Sequence, residues 1–137
     1  MYDRFNRQIN YLRISVTDRC NLRCTYCMPE EGITQIDHSK ILSFEEIAAF
    51  TRVAATKGFN KVRITGGEPM VRNGIVELVA MISQVDGITD LSMTTNGTLL
   101  GRYAKDLKLA GLQRVNVSLD TVNPIRYRQV TRIGNLD

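Results

Sequence analysis

The sequence predicts an α/β fold in which four parallel strands, each followed by a helix, form part of a (β/α) barrel wall. Three observations carry this. Strand-like and helical runs alternate along the chain, and that alternation requires parallel pairing through right-handed crossovers. The strands carry polar residues at alternate positions, Arg13 and Ser15, Arg63 and Thr65, Ser92 and Thr94, Asn116 and Ser118, whereas a sheet covered on both faces reads as continuous apolar runs. The glycine-rich and cysteine-rich segments lie just past the carboxyl ends of strands, where barrel enzymes keep their catalytic loops.

The elements follow in order. Tyr11 to Val16 is the first strand, with Leu12, Ile14 and Val16 on one side and Arg13 and Ser15 on the other. Ser43 and Glu46 form a capping box opening a helix whose apolar face is Ile47, Phe50 and Ala54, with Val53 alongside, stopped by Gly58. Val62 to Thr65 is the second strand and leads into Gly66-Gly67-Glu68-Pro69. A helix with Ile75, Leu78, Val79 and Ile82 on one face runs to the break at Asp86-Gly87. Leu91 to Thr94 is the third strand, ended by Asn96-Gly97, and Leu99 to Ala110 the third helix, stopped by Gly111. Val115 to Leu119 is the fourth strand, and Asn123-Pro124 caps and opens a last helix.

Composition narrows the class. With 137 residues and 43% hydrophobic content the chain can bury one core. Met1 to Arg13 lacks the apolar stretch of a signal peptide, and nothing reaches the length of a membrane span. A cytoplasmic, membrane-free protein is therefore expected. The net charge of +4 comes from scattered rather than massed cations, so nucleic acid is not a favoured partner.

The chemistry is concentrated in one loop. Cys20, Cys24 and Cys27 are the only cysteines, spaced C-x3-C-x2-C. An odd, clustered set argues against a disulfide framework and for a reducing compartment. A closed zinc site needs four ligands; His38 or Asp37 could complete one, although His38 lies outside the usual finger spacing. Iron-sulfur clusters are held by thiolates, normally four, so three would leave one iron open for a non-protein ligand. Accidental buried thiols are the remaining alternative.

Cys20, Cys24, Tyr26 and Cys27, as C-x3-C-x-aromatic-C, with Gly66-Gly67-Glu68-Pro69 further on, resemble the signature of radical S-adenosylmethionine (SAM) enzymes. One branch is resembled along the whole chain, through Tyr11 to Asn21, Cys27-Met28-Pro29, Arg63 to Pro69, Thr94-Thr95-Asn96-Gly97 and Val115 to Asp120. That branch is the GTP 3′,8-cyclase family of molybdenum cofactor biosynthesis. The resemblance implies a [4Fe-4S] cluster on Cys20, Cys24 and Cys27, with S-adenosyl-L-methionine chelating the open iron. One electron then yields a 5′-deoxyadenosyl radical, which abstracts the ribose 3′ hydrogen of GTP so that the sugar attacks carbon 8 of guanine. It implies cosubstrate contacts at Tyr26, Gly67 and Ser118, and GTP contacts at Arg13, Arg63 and Thr94. The residue chemistry agrees independently at the arginines, since two guanidinium groups sharing a polar face with Thr94 call for an anionic partner, and their forked donors match phosphate oxygens. His38 and Met28 receive no role.

A barrel normally takes about 200 residues or more. The chain is therefore expected to be the N-terminal part of a radical SAM core domain spanning residues 1–137, incomplete for turnover. The rest of the barrel and a second-cluster region would be absent. Its first and fourth strands would be bare edges, through which the piece is expected to self-associate. Two rivals stand beside this reading: another radical SAM enzyme acting on peptide or RNA, and a zinc-stabilised module without catalysis.

Overall fold

Four strands, β1 (Tyr11–Ser15), β2 (Lys61–Thr65), β3 (Asp90–Thr95) and β4 (Arg114–Val117), lie side by side, all parallel and in chain order. The computed structural model describes residues 2–136, the side chain of His38 excepted. Each crossover passes through a helix, α1 (Phe44–Thr56), α2 (Ile75–Ser83) or α3 (Leu100–Leu109), and α4 (Pro124–Thr131) follows β4. The partial α/β architecture expected from the alternation is the one observed.

Register explains why the two sheet faces differ. Arg13 stands opposite Arg63, Arg63 opposite Ser92, and Ser92 opposite Arg114, a single polar row across all four strands. The intervening positions put Ile14, Ile64 and Met93 side by side on the other face. That face meets Ile47 of α1, Ile75, Leu78, Val79 and Ile82 of α2, and Leu107 of α3 in one buried cluster. Burial of such side chains, about 1.5–3 kcal/mol each, is what ties the helices to the sheet. The β4 positions are all exposed, so both sides of β4 and the β4 edge stand open.

Local signals set the helix ends. The Ser43 hydroxyl accepts from Glu46 N–H at 3.2 Å while the Glu46 carboxylate accepts from Ser43 N–H at 2.7 Å. Asn123 accepts from Arg126 N–H at 3.0 Å, with Pro124 in the first turn of α4. One helical face differs from expectation. In α1 the buried residues are Ile47, Ala48, Thr51 and Ala54, whereas Phe50 and Val53 are 55% and 59% exposed. Thr51 is admitted to the interior because its hydroxyl donates to the Ile47 carbonyl at 2.8 Å, and the two alanines allow close approach.

Candidate functional site

The segments that follow the strands converge at one rim of the sheet. After β1 the chain enters the cysteine loop; after β2 comes Gly66-Gly67-Glu68; after β3, Asn96-Gly97; after β4, Ser118 and Asp120. Gly67 N–H donates to Thr17 O at 2.7 Å and Glu68 N–H to Arg19 O at 2.8 Å, lashing the glycine turn to the start of the cysteine loop. A Cβ on Gly67 would lie 2.3 Å from Arg19 O, and one on Gly66 would lie 2.8 Å from Thr17 O. The missing side chains thus make room first for the chain's own loop.

Glu68 is fully buried at 0% exposure. Its oxygens accept from Thr95 Oγ1 at 2.8 Å, Met70 N–H at 3.1 Å and Asn96 N–H at 2.7 Å. Its carboxylate is consumed in joining the ends of β2 and β3, which satisfies a buried charge that would otherwise be costly.

The cysteine loop is held from the far end of the chain. Arg23 and Thr25 N–H donate to the carbonyls of Thr131 and Val130 at 3.1 and 2.9 Å, occupying orphan acceptors at the end of α4. Arg132, at φ 63°, turns back so that its guanidinium donates to Arg23 O at 2.9 Å and Met28 O at 2.8 Å. Within the loop Arg23 donates to Cys20 O at 2.8 Å, and Cys27 and Met28 N–H both donate to Cys24 O.

Cys20 and Cys24 are half-buried and Cys27 is exposed, all as free thiols. Burial pushes the Cys24 thiol up; the neighbouring Tyr26 hydroxyl opposes this, while the charges of Cys20, Asp120 and Cys27 add to it. Cys24 thus lies within electrostatic reach of both Cys20 and Cys27. Among the described residues no three His, Cys, Asp or Glu side chains close around one point, as a lone metal ion requires. A multi-iron cluster asks for something else, one accessible thiolate for each of several irons, and three thiols on one braced loop suit it. The zinc alternative completed by His38 rests on a side chain outside the described residues.

Tyr26 is 68% exposed, and its hydroxyl donates to Asp120 Oδ2 at 2.9 Å, bridging the cysteine loop to the segment after β4. That bond, with lesser help from burial and Cys24, raises the phenol well above its ordinary value, so it stays a donor. Ser118 N–H donates to Thr95 O at 2.8 Å, and among the described residues its exposed hydroxyl has no partner.

Lower on the polar face, Arg13 and Arg63 are cross-strand neighbours. Arg63 donates to Ser92 Oγ at 3.3 Å and lies 5.6 Å from the centre of the Tyr11 ring. Among the described residues neither arginine has a carboxylate partner; the nearby acid, Asp90, is taken by Arg114 at 2.5 Å. Thr94, opposite Asn116, sits one polar row nearer the rim, roughly 6–7 Å along the strands. The sequence-predicted positions thus fall into a rim group (Cys20, Cys24, Tyr26, Cys27, Gly67, Ser118) and a lower group (Arg13, Arg63, with Thr94 between). Asp120 as the partner of Tyr26, Asn96 beside Cys20 and the Arg132 clamp were not foreseen. Asp120 and Asn96 lie in segments already singled out, whereas Arg132 has no local sequence signal.

Comparison with known proteins gives consistent results. A family model described as the radical SAM superfamily matches residues 14–137. The chain is 59% identical over 136 residues to a GTP 3′,8-cyclase of Alkaliphilus oremlandii, covering 99% of this chain and 42% of that protein. It is 58% identical over 137 residues to the GTP 3′,8-cyclase of Heliobacterium modesticaldum, again covering 42% of that protein. The chain thus spans less than half the length of these curated relatives. In fold it resembles Streptococcus suis SuiB bound to S-adenosylmethionine, with TM-score 0.70 and 22% identity over 88% of this chain and 27% of that one. It also resembles BtrN in complex with AdoMet and 2-DOIA, with TM-score 0.61 and 19% identity over 90% of this chain and 51% of that one.

Proposed function

The chain belongs to the radical SAM superfamily, and on that premise we propose that it is the cluster- and nucleotide-binding part of a GTP 3′,8-cyclase. Such an enzyme makes the cyclic pyranopterin precursor of molybdenum cofactor in the cytoplasm. The observation that carries the reading is 59% identity to a cyclase across 99% of the chain. The unpaired cations of the polar face support it further. Residues 1–137 would be the N-terminal part of the radical SAM core, working with barrel strands and a second-cluster region outside this segment.

In this reading Cys20, Cys24 and Cys27 hold three irons of a [4Fe-4S] cluster. That group supplies the one-electron reduction that opens the sulfonium of S-adenosyl-L-methionine. Gly67, exposed at the rim although its N–H is given to Thr17, meets the methionine end of the cosubstrate. Tyr26, fixed by Asp120, lies beside its adenine, and the free Ser118 hydroxyl is a further contact. Arg13 and Arg63 bind GTP through anionic oxygens, and Thr94 orients it from the row nearer the rim. Like-charged neighbours without carboxylates gain most from a polyanion, and guanidinium forks match phosphate geometry.

The test is anaerobic reconstitution with iron and sulfide, followed by quantitation and GTP calorimetry. Bound iron with matching sulfide, and GTP affinity reduced about 10- to 100-fold by Arg13→Ala or Arg63→Ala, is the expected result. Zinc without sulfide would sink the cluster. A cluster without GTP binding would favour a peptide- or RNA-modifying branch. Turnover to cyclised product by this chain alone would contradict its reading as incomplete. The open edges at β1 and β4 further support self-association of the isolated chain, which a strictly monomeric mass at high concentration would refute.

A further inference from the structure

Cys20 differs from its two companions in what surrounds its sulfur. Leu22 N–H points at Cys20 Sγ from 3.4 Å, and the side-chain amide nitrogen of Asn96 lies 3.9 Å away. The identity of that nitrogen follows from a closed ring of hydrogen bonds. Asn21 Nδ2 donates to Thr98 Oγ1 at 2.8 Å, Thr98 Oγ1 donates to Asn96 Oδ1 at 2.7 Å, and Asn96 Nδ2 donates to Asn21 Oδ1 at 2.9 Å.

A ring of amides and a hydroxyl could run either way round, but this one contains a member that cannot reverse. Thr98 N–H, a backbone donor, is aimed at Asn96 Oδ1 from 3.0 Å. Turning the Asn96 amide over would set donor against donor there, so the oxygen stays with Thr98 and the NH2 faces the cysteine loop. One of its two hydrogens goes to Asn21; the other is left for Cys20. The backbone of Asn96 is anchored in turn, through its N–H, to the buried carboxylate of Glu68 at 2.7 Å.

We propose that the Asn96 amide donates a hydrogen bond to the Cys20 thiolate and so raises the reduction potential of the cluster that this thiolate holds. The proposal rests on the reading of Cys20 as an iron ligand. At 3.9 Å the contact is long for a neutral thiol, and a charged sulfur is the stronger acceptor that draws it in. Hydrogen bonds to cluster sulfurs are among the levers that set reduction potential, because a donor favours the more electron-rich state. Asn96 is therefore a positioning and tuning residue acting through Cys20, with no contact to substrate assigned.

The experiment is a redox titration followed by electron paramagnetic resonance on the reconstituted protein, with iron and sulfide counted in each sample. Asn96→Asp keeps an acceptor for Thr98 but replaces the donor with a negative charge; Asn96→Leu keeps only the size. At the wild-type midpoint, the reduced-to-oxidised ratio is expected to fall at least threefold in Asn96→Leu and tenfold or more in Asn96→Asp. Tenfold corresponds to about 59 mV for one electron. A merely structural role would lower iron content without moving the midpoint of what loads. Loaded variants titrating with the wild type would therefore overturn the proposal. If neither variant loads, wild-type protein carrying asparagine labelled with ¹⁵N in its side-chain amide is expected to show nitrogen coupling to the reduced cluster, and its absence overturns the proposal. Wild-type protein that takes up no iron or sulfide would instead refute the cluster reading itself, and this inference with it.

Discussion

Gly67→Ala should destabilise this protein far more than the loss of an exposed glycine suggests. The added Cβ would stand 2.6 Å from Arg19 C and 2.3 Å from Arg19 O, with Asp18 O at 2.8 Å. All three are backbone atoms, so no flexible side chain can swing aside. Carbon atoms in contact prefer about 3.5 Å or more, so the loop must retreat by about 1 Å. That movement breaks the bonds from Gly67 N–H to Thr17 O and from Glu68 N–H to Arg19 O, at about 1 kcal/mol each. Overpacking adds about 1–3 kcal/mol, while restricting the unfolded chain returns about 0.4–1 kcal/mol. The net expectation is about 2–4.6 kcal/mol of lost stability. The control is Gly101→Ala in α3, where a Cβ meets nothing within 4 Å and should stabilise by about 0.5–1 kcal/mol. Urea unfolding of the two variants reads both signs. Gly67→Ala within about 0.5 kcal/mol of wild type, well short of the overpacking term alone, would show that the steric reasoning is wrong.

Arg132→Ala should lose about 2–3 kcal/mol by urea unfolding, since two charge-assisted bonds to loop carbonyls disappear from a half-buried position. Arg132→Gly should be milder by about 1 kcal/mol because the residue sits at φ 63°; equal losses would remove backbone conformation from the account. Ser43→Ala breaks the capping box and should cost about 1 kcal/mol in the same assay, with no measurable change counting against the cap. Tyr26 provides the pH test. Its phenol is raised because Asp120 holds the protonated form, so the bond's contribution is intact below the ordinary tyrosine value near 10 and is lost as pH climbs through the raised one. In an ultraviolet titration, Asp120→Asn should move Tyr26 ionisation down toward that of ordinary tyrosines, with burial and Cys24 still holding it above them, and a titration superimposable on wild type would exclude Asp120 as the cause.

The placement of the rim segments was legible because each is contiguous: three cysteines in one loop after β1 and a glycine pair directly after β2. Helix α2 was equally plain, and Ile75, Leu78, Val79 and Ile82 are all buried. Helix α1 misled because it carries two apolar stripes, and size favoured Phe50 and Val53 over Ala48 and Thr51. The buried stripe is the one whose small residues fit the packing and whose threonine satisfies its hydroxyl locally. The glycine pair was read for its openness to a ligand, whereas the nearest demand on its missing Cβ atoms comes from Thr17 and Arg19. Asp120, Asn96 and Arg132 could not be read as partners because their contacts with the cysteine loop span 94, 76 and 109 residues. Periodicity carries no information across such separations.

The bracing of the cysteine loop by residues 130–132 has a bearing on biogenesis. The thiols are translated within the first thirty positions, yet two amides and two carbonyls beside them find partners only when Val130, Thr131 and Arg132 arrive. Closing so long a span is entropically costly and kinetically late. During synthesis the three thiols therefore sit on a loop held only by its own short-range bonds, and its outer bracing is completed when the fourth helix emerges and docks.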